Sequence, residues 1–227
     1  MAKNRRIPLT RIQSLIGQRM LHSKQHKPCF YLSIKADVTE LMGLRHEYSK
    51  AVSVRVATND FCIRAMGLAM EKYPLMAGQF DGDHIQIAGS IDIGLAVSAP
   101  QGLVVPIIRN ADNKPLPQIA RETAELVNKA RSNNLTPADM AGATITLTGL
   151  GMYGIDSFIA IASPCQCGIL AIGKPTETIM PIDGNFVIRK MVGFTLAADH
   201  RIVNCDYAAG FLKEIAHLLE NPKKLMD

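Results

Sequence analysis

The chain has 227 residues, 48% hydrophobic and 20% charged, with a formal net charge of +5. That balance predicts a globular fold with one substantial core and excludes a disordered chain; no apolar run is long enough for a membrane-spanning helix. The basic residues of 1–27 come without a nucleic-acid motif or interleaved aromatics, and the chain has no Trp, which argues against nucleic acid and leaves a solvated face or an anionic partner such as a phosphorylated cofactor.

The elements follow in chain order. Residues 1–6 lack the apolar stretch of a secretory signal. Ile12, Leu15, Ile16, Met20 and Leu21 fall at helical spacing over 10–22, and Pro28 stops that helix. Phe30, Leu32 and Ile34 alternate with Tyr31, Ser33 and Lys35, which predicts a strand over 29–38. Thr39 is placed as the cap of a helix reaching about Ser49, 51–56 is ambiguous, and Thr58 or Asn59 opens an apolar helix through Met70. Strands are predicted over 84–88 and 90–98, and the latter forms a hairpin with 103–108 across Pro100-Gln101-Gly102. Residues 115–133 read as a helix, with one further helical turn opening at Thr136-Pro137. A strand over 143–148 runs into a glycine-rich loop at 149–154. Residues 157–162 and 167–173 are short apolar segments, and Asp183-Gly184-Asn185 is a hairpin turn. The last strand covers 186–196, where Phe186, Ile188, Val192, Phe194 and Leu196 share one parity and predict one buried face. Tyr207, Phe211, Ile215, Leu218 and Leu219 then mark a closing helix, with Asp206 as the expected N-cap. Strands and helices do not alternate regularly and no linker is visible. The fold class is therefore α+β, a mixed sheet with packed helices, in one domain over 1–227.

Two stretches carry possible chemistry. His200 sits on the short connection between the last strand and the last helix, where a rigid scaffold on both sides can hold an imidazole in one orientation. Imidazole is the side chain whose ordinary pKa lies nearest neutrality, which suits a general base, although a hydrogen-bonded structural histidine gives the same pattern. The loop after Thr148 can turn sharply or approach a ligand closely, but it lacks the Lys of a phosphate loop. The five cysteines, at 29, 62, 165, 167 and 205, are odd in number and scattered, which reads as reduced thiols in a cytosol-like compartment. Cys165-x-Cys167 has no second ligand pair, so no metal is expected.

The order of residues adds a resemblance. Asp199-His200-Arg201-Ile202-Val203-Asn204-Cys205 resembles the end of the catalytic domain of dihydrolipoamide acyltransferases, the core components of 2-oxoacid dehydrogenase complexes of the pyruvate or acetoin type. Thr148-Gly149-Leu150-Gly151-Met152-Tyr153-Gly154 is similar to a second family segment, 92–97 with 102–109 to a third, and 11–30 to the opening helix and strand. The resemblance implies a chloramphenicol-acetyltransferase-like fold and a homotrimer with active sites between subunits, assembling into a larger hollow core. It implies acyl transfer between a dihydrolipoyl thiol and coenzyme A, with His200 as general base and Thr148 stabilising the oxyanion. The Leu-Gly-Met-Tyr-Gly-Ile segment looks more like acetyl-transferring members.

Lipoyl and peripheral-subunit-binding domains find no counterpart here. Contacts with the lipoyl group, the 2-oxoacid dehydrogenase and dihydrolipoamide dehydrogenase are therefore expected through domains outside this chain. The coenzyme A contacts are not identified. The expected location is the cytoplasm, or the mitochondrial matrix in a eukaryote. Asn204 and Cys205 stand where the family pattern has Asp and Gly. That Asp supports the loop by pairing with an arginine, so with Asn204 the arginine is expected to be solvated or taken over by another acid, and the turn to be modestly altered. The departure leaves open a non-catalytic core protein of the same fold; a small-molecule O-acetyltransferase is the other alternative.

Overall fold

The computed structural model describes residues 6–226. A capping box opens α1 (Arg11–His26): the Thr10 hydroxyl accepts from the Gln13 N–H at 3.2 Å, and Gln13 Oε1 accepts from the Thr10 N–H at 2.9 Å. The predicted apolar stripe of α1 does not enter the core. Ile12, Leu15 and Leu21 are exposed, and the buried residue is Ser23, whose hydroxyl donates to the Ala162 carbonyl at 2.6 Å. The helix is thus attached to the protomer through polar groups.

β1 (Cys29–Asp37) follows as the alternation predicts. Thr39 is not the cap of α2 (Thr39–Ala51) but its first residue. Asp37 Oδ1 accepts from both the Thr39 N–H and its hydroxyl, because a carboxylate at a strand end can reach two donors that a threonine cap cannot. α3 (Thr58–Lys72) is followed by a short 3-10 turn and the hairpin of β2 (Gly78–Asp81) with β3 (His84–Ile87). Its first strand has no apolar alternation, so β2 was invisible to periodicity.

The expected long strand over 90–98 is broken into β4 (Ile93–Leu95) and β5 (Val97–Ala99). β5 pairs with β6 (Gly102–Val104) as a separate hairpin, while β4 pairs antiparallel with β7 (Ile107–Ile108). Next come α4 (Leu116–Arg131), α5 (Pro137–Met140), β8 (Ile145–Gly149), β9 (Gly168–Ile172), β10 (Thr176–Ile182), β11 (Asn185–Asp199), α6 (Cys205–Glu220) and α7 (Lys223–Met226). Residues 157–162 form no ladder.

The main sheet has the order β1-β11-β9-β8-β4-β7, with β10 on the remaining half of β11. β4, β8 and β9 are mutually parallel and the other pairings antiparallel, so the sheet is mixed. The helices α2, α3, α4 and α6 pack together against it, and Phe61, Met66, Phe194 and Phe211 are fully buried in one core cluster. β11 is 15 residues long, about 50 Å, and outruns that layer. Val192, Phe194 and Leu196 are buried, whereas Phe186 is 83% and Ile188 64% exposed. Equal parity predicted one buried face along the whole strand. Among the described residues, no element covers the half of that face that carries Phe186 and Ile188.

Candidate active site

β11 ends at Asp199 and α6 begins at Cys205, so His200 stands on a turn between two anchored elements. The turn closes on itself through Ile202 and Val203 N–H groups donating to the Asp199 carbonyl at 3.0 and 3.1 Å, and both side chains are buried. The His200 N–H donates to the Pro28 carbonyl at 3.1 Å, and its exposed ring meets the edge of Phe30 at 5.2 Å. Pro28, just before β1, thus holds the His200 backbone, and Phe30 on β1 supports its ring.

Asn204, and not Asp206, caps α6. Its Oδ1 accepts from the Tyr207 N–H at 2.9 Å, while Asp206 lies inside the first turn. Asn and Asp are equivalent caps, so the helix start tolerates either. Cys205 is the first helical residue and has no positive φ, so the turn does not need a glycine there. The arginine of the motif does have a carboxylate: Arg201 forks onto Asp199 at 3.0 and 2.7 Å, and its guanidinium lies 4.3 Å from the centre of the Phe80 ring. Asp199 is 1% exposed and also sits 3.7 Å from the Lys27 ammonium.

Lys27 is the site residue that sequence reading missed. Its ammonium donates to the Ser163 carbonyl at 2.9 Å and to the Gln166 carbonyl. Burial pulls its pKa below the usual lysine value, against the opposing attraction of Asp199. Nothing in a Lys before a Pro signals this, because the burial comes from segments far away in sequence. Burial also pushes the neighbouring thiols up, Cys29 above its ordinary value and Cys167 to about 12, so neither is an activated nucleophile. Among the described residues, no group of three or more His, Cys, Asp or Glu side chains is arranged to hold a metal.

Thr148 is half-buried on β8, on the same face as Thr146, whose hydroxyl donates to Gln166 Oε1 at 2.7 Å. The loop after it makes a 3-10 turn over Gly151–Tyr153, ended by Gly154 at φ 81°, with Met152 and Tyr153 exposed at its tip. It packs tightly on the segment after β9, and a Cβ on Gly173 would lie 1.8 Å from the Asp156 carbonyl oxygen. Thr148 and His200 are not brought together within the protomer. Thr148 is level with Ala171 on β9 and thereby with Thr195 on β11. His200 lies five residues beyond Thr195 and two strands across, a separation of about 16 Å along the strands and 10 Å between them.

A family model described as 2-oxoacid dehydrogenases acyltransferase (catalytic domain) matches residues 1–227. The chain belongs to this acyltransferase family. The acyltransferase domain is 35% identical over 226 residues, 98% of this chain, to the dihydrolipoyllysine-residue acetyltransferase component of the pyruvate dehydrogenase complex of Rickettsia felis, and covers 55% of that protein. It thus spans about half the length of the curated relatives it matches. A probable dihydrolipoamide acetyltransferase of Listeria monocytogenes superposes with a TM-score of 0.92 at 32% identity, covering 97% of this chain and 96% of that one. A dihydrolipoamide acetyltransferase of Azotobacter vinelandii, studied for the role of a serine, a histidine and an asparagine in its catalytic mechanism, gives 0.92 at 30% identity, with 99% and 95% covered. The cubic core of a pyruvate dehydrogenase multienzyme complex gives 0.92 at 30% identity, with the same coverage. Chloramphenicol acetyltransferase, at 12% identity, a TM-score of 0.57 and 89% and 94% coverage, shares the fold expected from the sequence.

Proposed function

We propose that this acyltransferase domain moves an acetyl group between a dihydrolipoyl thiol and coenzyme A. A thiol with a pKa of about 8.5 is mostly protonated at neutral pH. Neutral His200 takes that proton as the sulfur attacks the thioester carbonyl. The new carbon–sulfur bond leaves negative charge on the carbonyl oxygen, and the Thr148 hydroxyl donates to it. Collapse of the tetrahedral adduct breaks the old carbon–sulfur bond, and the His200 proton goes to the departing thiolate. Asn204 holds the turn by capping α6 rather than by contact with substrate.

The observation that carries this reading is the separation of Thr148 from His200 on one sheet. A site using both needs Thr148 from one copy and His200 from another, which supports a homotrimer with sites between subunits and larger assembly of the trimers. Spacing supports the residue roles. The serine, histidine and asparagine named for the Azotobacter vinelandii enzyme stand 52 and then 4 residues apart, as do Thr148, His200 and Asn204. An asparagine at this place therefore does not itself point to a non-catalytic core. The lipoyl group arrives on a lipoyl domain outside this chain, and the 2-oxoacid dehydrogenase and dihydrolipoamide dehydrogenase components dock through further domains. No described helix is long and apolar enough to cross a membrane. The proposed setting is the bacterial cytoplasm or the mitochondrial matrix.

Complementation tests the reading. His200→Ala should lower turnover about 10²- to 10⁴-fold and Thr148→Ala about 10²- to 10³-fold. Co-expressed in one trimer, the two inactive chains should regain up to about a quarter of wild-type transfer, because cyclic symmetry then pairs an intact His200 with an intact Thr148 at one interface in four. Mixed oligomers with no recovery would refute the shared site, and wild type with no transfer from acetyl coenzyme A to dihydrolipoamide would refute the activity.

A further inference from the structure

Asp199 lies immediately before His200 and carries one negative charge, yet two cations converge on it. Arg201 already saturates it with a bidentate fork and keeps partial access to water, its side chain being 30% exposed. Lys27 reaches the same carboxylate from the other side with a side chain only 3% exposed. Burying an ammonium is costly, and neutralising Asp199 does not require it. What Lys27 adds is connection. Its three partners belong to the turn below His200, at Asp199, and to the connection between β8 and β9, at Ser163 and Gln166. The side chain of Gln166 accepts from Thr146, two residues before Thr148 on β8. The residue after Lys27, Pro28, accepts the His200 N–H. One ammonium therefore ties the base of the His200 turn to the segment that is hydrogen-bonded to the Thr148 strand.

We propose that Lys27 is a positioning residue for acyl transfer, its buried ammonium holding Asp199, and with it the His200 turn, against the Ser163 and Gln166 carbonyls. The inference rests on the proposed role of His200. Lys27 does not touch the reacting atoms. Its effect is to limit how far the turn can move, and a base displaced by about 1 Å can lose on the order of 10²-fold in rate. Removing the ammonium leaves Asp199 paired with Arg201, so the fold keeps its carboxylate satisfied.

The test compares Lys27→Met, which keeps length and volume without charge, with Lys27→Arg, which restores a cation. Steady-state transfer from acetyl coenzyme A to dihydrolipoamide, thermal melting and backbone amide exchange are measured on the assembled protein. In Lys27→Met, kcat should fall tenfold or more with KM within twofold and the melting temperature within about 3 °C of wild type. Lys27→Arg should recover a substantial part of kcat. Exchange at the His200 and Ile202 amides should accelerate in Lys27→Met while that of Phe194 and Leu196 stays unchanged. Unaltered kcat and exchange in Lys27→Met would overturn the proposal, as would equal loss of kcat in the Met and Arg variants. If wild type shows no transfer, the functional reading fails, and the exchange measurement alone still decides whether Lys27 holds the turn.

Discussion

Asn204 offers the sharpest separation between a structural and a chemical role at this site. Asn204→Ala deletes the Oδ1 that accepts from the Tyr207 N–H at 2.9 Å, at the head of a 16-residue helix. Loss of such a cap costs about 1 kcal/mol. In a chain of this size that lowers the melting temperature by about 2–4 °C. Asn204→Asp keeps the acceptor and places a negative charge at the positive end of α6, a gain of about 0.3–1 kcal/mol. Asp206 already occupies the first turn, which puts the gain at the lower end of that range. The melting temperatures should therefore order as Asp at or above Asn, with Ala below both. Turnover of Asn204→Asp should stay within tenfold of wild type, because the turn keeps its closure. Differential scanning calorimetry and initial rates of acetyl transfer read the two effects separately. An Asn204→Asp variant that melts below wild type, or an Asn204→Ala variant that melts with it, would refute the capping argument. Acyl transfer absent in wild type and restored by Asn204→Asp with Cys205→Gly would show a chain that has lost catalysis at this turn.

Two further outcomes follow from the packing. Gly173→Ala puts a Cβ 1.8 Å from the Asp156 carbonyl oxygen, a backbone atom that cannot swing aside, so stability should drop by about 1–3 kcal/mol and turnover with it as the loop after Thr148 is displaced; unchanged melting would refute the close approach. Asp60 is buried, with Oδ2 on the Ala57 N–H at 2.7 Å, and burial raises its pKa. A raised carboxyl binds more protons in the folded state than in the unfolded one. Its contribution is therefore fullest at acid pH and is lost as pH rises above about 4 through the folded value. Asp60→Asn keeps the acceptor and removes the charge, so its stability relative to wild type should grow between acidic and neutral pH in denaturant titrations, and a deficit that widens with pH would sink the assignment.

Local features of the chain carried most of the secondary structure. Thr10, Pro28 and Asp183-Gly184 act on their own neighbours, so α1 and the strand after the hairpin turn lie where periodicity puts them, whereas β10 before that turn is not signalled. The motif around His200 was legible because a strand, a turn and a helix follow one another directly along the chain. The sequence pattern there makes Asn204 a weakened ion-pair partner, whereas the structure makes it the cap of α6. The cap it supplies depends on the φ and ψ angles with which the chain leaves β11.

What the sequence could not supply was everything set by partners distant along the chain. Parity identified an apolar face on β11 but not how far the helix layer extends over it, so Phe186 was expected inside and lies outside. A lysine between a helix and a proline is ordinary until α1, β11 and the connection between β8 and β9 close around it. The separation of Thr148 from His200 is likewise a property of sheet register, fixed by which strands pair and at what offset. Sequence determines which groups can do chemistry, because that is a matter of side-chain type and local turn. Which of them meet is decided by tertiary packing, because burial and register are properties of pairs of segments rather than of any one of them.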